Sequence, residues 1–102
     1  MTGPAPLHIS LIAIPEVAIS TLSGIYDVLN CFALLAGSEA IPQRPPFKVE
    51  IVGLQAGPLK LASGLSVDVH RAVADVKTTD IVIAPSLLLR HDGWAQGRYP
   101  EI

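Results

Sequence analysis

Three short apolar runs, separated by connections too long for tight hairpins, predict an α/β domain with a mostly parallel sheet. The runs are 9–14 (ISLIAI), 47–54 (FKVEIVGL) and 80–84 (DIVIA). A helical apolar stripe follows the first run, and a small β-hairpin pattern follows the second. Parallel strands joined by right-handed crossovers satisfy all of these at once.

The stretch 8–37 organises the rest. Residues 9–14 are almost wholly apolar and stop at Pro15, as a strand covered on both faces requires. Leu22, Ile25, Tyr26, Leu29, Phe32, Ala33 and Ala36 then recur at helical spacing, with Asp27 and Asn30 off the stripe. Ser20 or Thr21 is expected to cap this helix, and Gly37 to end it. Residues 38–46 (SEAIPQRPP) carry three prolines and read as a surface connector.

In 47–54, Phe47, Val49 and Ile51 alternate with Lys48, Glu50 and Val52, a strand whose early part lies near an edge or solvent. The hairpin occupies 55–69. One arm is 59–62, the turn is Ser63-Gly64, and Leu65, Val67 and Val69 form the inward side of the return arm. A short helix is expected over 70–76. The run at 80–84 reads as a further buried strand stopped by Pro85, and 94–102 as the opening of another helix. Residues 1–7 form a loose leader, and 8–102 one domain.

Half of the 102 residues are hydrophobic and only 16% are charged, against roughly 25% in an average soluble domain. No run reaches the ~18 apolar residues of a spanning helix, and residues 1–7 carry no basic n-region, so a cytoplasmic location is expected. A net charge of −2 without a basic stripe argues against nucleic-acid contact by these residues. The single cysteine, Cys31, excludes an internal disulfide and a thiolate-rich metal site.

Taken in order, Pro15, Val17, Leu22, Gly24 and Asp27-Val28, then FKVEIVG, SGLSVDV and DIVIAP, resemble the ThiJ/PfpI superfamily. The resemblance covers residues 8–86 and is nearest to the branch forming the amino-terminal domain of AraC-type transcriptional regulators. It implies a flavodoxin-like three-layer sandwich, of which 8–102 is the amino-terminal part and therefore incomplete. Enzymes of the superfamily pair a nucleophilic cysteine with an acid at the start of the first helix. With Gly24 and Asp27-Val28 in register, Thr21 stands in the acid's position, and a threonine hydroxyl cannot serve as a base at neutral pH. Ser86 and Leu87 replace the family's glycines after the third strand. The elbow carrying the nucleophile would lie beyond Ile102.

In parallel sheets ligands sit beyond the carboxyl ends of the strands, here Pro15-Glu16, Leu54-Gln55 and Pro85-Ser86. The candidate ligand-binding residues are accordingly Glu16, Thr21, Pro85 and Ser86. Each also has a plain structural reading: Glu16 as a solvated loop glutamate, which the residue type favours, and Thr21 as a helix cap. Cys31 falls mid-helix without a neighbouring cation and reads as a small packed residue rather than a nucleophile. Ser86, His91 and Asp92 share one aperiodic loop, which cannot hold a catalytic triad rigid. His8, His70 and His91 do not converge at metal-ligand spacing, and no cofactor is expected. Trp94 and Tyr99 read as packing anchors or dimer contacts.

The sequence thus points to a non-catalytic ligand-sensing and dimerisation domain of an AraC-type regulator. Its partners would be a second copy and a small-molecule effector, and DNA would be reached only through a separate carboxy-terminal domain. The alternative is a ThiJ/PfpI-type enzyme, resembling isonitrile hydratases, glyoxalases or amidases, with its cysteine beyond this chain.

Overall fold

The computed structural model of the protein describes residues 5–35, 45–89 and 99–102. Its elements are β1 (Leu7–Ile12), α1 (Ile19–Leu35), β2 (Phe47–Gly53), β3 (Gly57–Lys60), β4 (Ser66–Val69), β5 (Arg71–Ala72), a 3-10 turn (Val73–Asp75) and β6 (Ile81–Ile83). The principal sheet has the order β5-β2-β1-β6 with every pair parallel. A separate antiparallel pair joins β3 to β4. This is the expected flavodoxin-like α/β arrangement. Of its three layers, the described residues supply the sheet and one helix.

Parallel pairing of β1 with β2 in register Leu7↔Phe47 through Ile12↔Val52 sends α1 over one sheet face. The odd-numbered residues of both strands point to that face. Ile9, Leu11, Val49 and Ile51 are buried there with Leu22 of α1, while Ile25, Tyr26 and Leu29 flank the cluster. Leu61 and Val69 of the hairpin region close it. Each such side chain, fully buried, contributes about 1.5–3 kcal/mol. The even-numbered residues His8, Ser10, Lys48 and Glu50 lie on the opposite face, where the polar chemistry collects.

The helix begins at Ile19, earlier than a cap at Ser20 or Thr21 would allow. The Ala18 carbonyl accepts from the amides of Thr21 (3.1 Å) and Leu22 (3.0 Å), so the helix starts from Ala18 and neither Ser20 nor Thr21 caps it. Of the expected stripe, Ala33 is exposed, and Val28 and Leu34 off the stripe are exposed as well, at 64% and 87%. Cys31 is exposed rather than packed. The expected helix end at Gly37 and most of the connector at 38–46 lie outside the described residues.

Further expectations change. The short helix expected over 70–76 is instead β5 followed by the 3-10 turn, because Arg71 and Ala72 pair with Val52 and Gly53. That pairing reaches only the end of β2, which leaves its first residues at an edge, as the alternation implied. β6 is not a buried strand. Ile81 and Val82 are exposed, since β1 is its single partner among the described residues. The hairpin forms, but its first arm is Gly57–Lys60 rather than 59–62, and Leu65, expected on the inward side, is 57% exposed ahead of the return arm Ser66–Val69; Gly64 supplies a positive φ (+107°) in its turn. Among the described residues, no helix is long and apolar enough to cross a membrane.

Candidate functional site at the switch of strand order

From β1 the chain runs to β2 on one side, while β6 takes the other side of β1. The carboxyl ends of β1 and β6 therefore mark the topological switch point, the usual ligand position in open α/β sheets. Two loops meet there. The Ala18 amide donates to the Ser86 carbonyl (2.9 Å), the Leu88 amide donates to the Glu16 carbonyl (2.8 Å), and Val17 bridges Leu87. These backbone bonds tie Glu16–Ala18 to Ser86–Leu88 as an isolated antiparallel bridge.

That clamp brings three of the four candidate residues together. Thr21 Oγ1 and Ser86 Oγ lie 2.7 Å apart, an exposed hydroxyl pair at the first turn of α1. Pro85, the residue before Ser86, is buried. Glu16 departs from the sequence expectation of a solvated loop residue. It is 2% exposed, and Tyr99 donates its phenolic proton to Glu16 Oε1 at 2.8 Å. A carboxyl group taken out of water requires such donors. Tyr99, expected as a packing or dimer residue, is thus tied to the switch-point loop. No sequence signal links positions 16 and 99.

Beside the switch point, Ala13, Pro15, Leu54, Gln55, Pro58 and Leu59 line an apolar cleft of about 230 Å³ between the sheet and the hairpin. It joins the carboxyl ends of β1 and β2, and the Ala62 amide donates to the Pro15 carbonyl (2.6 Å) to hold the hairpin over it. Next to Leu54 in the chain, Gly53 stands where only hydrogen fits. A Cβ there would meet the Ala13 carbonyl oxygen at 2.9 Å.

A second polar cluster lies on the opposite sheet face, and sequence reasoning missed it. His8 Nε2 donates to Glu50 Oε1 (2.6 Å), and His8 Nδ1 is 2.8 Å from Thr79 Oγ1, which accepts from Ser10 Oγ (3.0 Å). Arg71 donates through Nε and one terminal nitrogen to both Glu50 oxygens, at 3.0–3.2 Å. The Arg71 hydrogen bonds hold the Glu50 carboxyl below its ordinary value; burial opposes this, and the bond from His8 adds to it. The alternation of 47–54 marked Glu50 as polar-facing, but Arg71 lay in a segment expected to be helical. His70 plays a separate part, its Nδ1 accepting from the Ile51 amide at 2.9 Å. Among the described residues no group of three potential ligands could hold a metal. His91, Asp92 and Trp94 fall outside them.

No family model and no curated protein matches this sequence. Solved structures do match in shape. An oxidised DJ-1 from Toxoplasma gondii superposes with a TM-score of 0.61 at 12% identity, over 80% of this chain and 39% of that one. An AraC family transcriptional regulator from Pseudomonas putida gives 0.60 at 18% identity, over 81% and 48%. A ThiJ/PfpI family protein from Pseudomonas syringae gives 0.57 at 15% identity, over 81% and 30%. The chain spans less than half the length of each of these structures. At such identities the likeness is one of fold alone: the chain shares the α/β fold of these three proteins.

Proposed function

We propose that this chain is a non-catalytic ligand-sensing and dimerisation domain of an AraC-type transcriptional regulator. The observation that carries the reading is the Thr21–Ser86 hydroxyl pair at the switch point. Where the resemblance puts a carboxylic acid, the chain has a hydroxyl already engaged by another hydroxyl. Two hydroxyls can donate to and accept from a polar ligand, but neither can hold a proton for a thiolate. The likeness to an AraC family regulator supports the same reading.

In this account a small polar metabolite settles at Thr21 and Ser86, with its apolar part directed toward the neighbouring cleft. The effector acts by binding one arrangement of a dimer better than another. The second copy docks on the outer face of α1, where Gly24, Val28, Cys31 and Leu35 recur at helical spacing and Val28 is 64% exposed. DNA is contacted by a separate domain, and the protein works in the cytoplasm.

The enzymatic alternative is separated by one experiment. The chain is screened against polar metabolites by thermal shift, as wild type and as Thr21→Val/Ser86→Ala. A stabilising metabolite whose effect disappears in the variant, and which is recovered chemically unchanged, supports the sensor. Conversion of a metabolite into a product, whether or not it survives Cys31→Ala, refutes it.

A further inference from the structure

The cleft on the sheet face away from α1 has a composition that neither the switch point nor the fold requires. It opens at the amino-terminal end of β2, encloses about 290 Å³, and is lined by His8, Lys48, Glu50, Arg71, Asp75 and Lys77. At roughly 30 Å³ for each water in the liquid, that space suits a tetrahedral anion with a few further atoms attached.

The charges on its wall are not balanced. Glu50 is held by Arg71 and His8, with its side chain only 13% exposed. Its charge is therefore already compensated. The bidentate bond fixes the plane of the Arg71 guanidinium and uses Nε and one terminal nitrogen, which leaves the other on a side chain that is 42% exposed. Lys48 and Lys77 are exposed and make no ion pair among the described residues. Asp75, which acts electrostatically on Arg71, is the remaining acid. Lys48, Lys77 and Arg71 thus set three positive charges against the two carboxylates of Glu50 and Asp75, and with Arg71 paired to Glu50 the two ammonium groups face Asp75 alone across a concave surface. β2, β5 and the segment after the 3-10 turn each supply one cation, so the donors approach from separate directions.

We infer that this cleft binds a phosphate group, as free phosphate or as the head of a small phosphate ester, through Lys48, Lys77 and Arg71. Arg71 offers a directional hydrogen bond, and the lysines offer mobile point charges that adapt to the attached group. Glu50 and His8 act as positioning residues that hold the guanidinium in place. The site is independent of the switch point, so the fate of the sensor reading does not decide it.

The full 102-residue chain is titrated with inorganic phosphate and, separately, with glycerol 1-phosphate at constant ionic strength, followed by amide-resolved NMR and by melting temperature. Saturable shifts are expected at Lys48, Arg71 and Lys77, with a rise in melting temperature, since a ligand that binds the folded state stabilises it. Lys48→Gln/Lys77→Gln changes two exposed side chains and keeps the fold. It should weaken binding at least about tenfold, equivalent to about 1.4 kcal/mol. Tighter binding of the ester assigns the site to ester ligands, and equal binding assigns it to free phosphate. Absence of saturable shifts with both probes, or unchanged affinity in the double variant, overturns the inference.

Discussion

Tyr99 donates a 2.8 Å hydrogen bond to Glu16 Oε1 across 83 positions of sequence. It secures a carboxyl group that is 2% exposed in the loop leaving β1. The loop is also anchored by backbone bonds to the segment after β6 and, through the Pro15 carbonyl, to Ala62, while Tyr99 holds the Oε1 side of the Glu16 carboxyl.

Tyr99→Phe keeps the ring and removes only that donor. A lost hydrogen bond to a buried polar group costs about 1–3 kcal/mol. Urea denaturation should show a drop in this range with an unchanged slope. A variant as stable as wild type would show that Glu16 does not depend on Tyr99.

The Glu50–Arg71 pair carries a pH signature. Arg71, and then His8, hold the Glu50 carboxyl below its ordinary value of 4.5 against the opposing effect of burial. A carboxyl group depressed on folding contributes stability that is fully present above the unfolded value and is lost as pH falls through the folded one. Stability from this group should be level above about pH 4.5 and fall in more acid solution. In Arg71→Met that acid-side loss should shrink, which denaturation at a series of pH values reads directly. An identical acid limb in the variant would exclude the pair as its source.

Gly53→Ala tests the seam between sheet and hairpin. The added methyl would lie 2.9 Å from the Ala13 carbonyl oxygen and 3.3 Å from a Val69 methyl, and the backbone oxygen cannot swing aside. Overpacking of this kind typically costs about 1–3 kcal/mol. The expected outcome is a lower denaturation midpoint; no change would mean that the strands sit further apart than described.

What the sequence made legible follows the range of the interactions. β1, β2, the hairpin and the inner stripe of α1 announce themselves because each buries a pattern contained in its own residues. β5 does not, because two residues, one of them arginine, form a strand only by pairing with Val52 and Gly53. The start of α1 misled because Ser20 and Thr21 are good capping residues, yet the bond from the Ala18 amide to the Ser86 carbonyl sets where the helix begins. The same local logic treated Glu16 as solvated, since its phenolic partner is distant in sequence. The switch point itself was legible from the order of the elements. The acid–base content of the far sheet face was not, because alternation marks a polar side without saying which polar groups meet.

The central claim is that a polar metabolite binds without reaction at the crossing of the two loops. The direct measurement is amide-resolved NMR of the 102-residue chain titrated with the metabolite that stabilises it most. The account predicts saturable shifts centred on Ala18, Thr21, Ser86 and Leu88, with the ligand's own signals unaltered over time. Shifts confined to other parts of the sheet, or ligand signals that give way to those of a product, would contradict it.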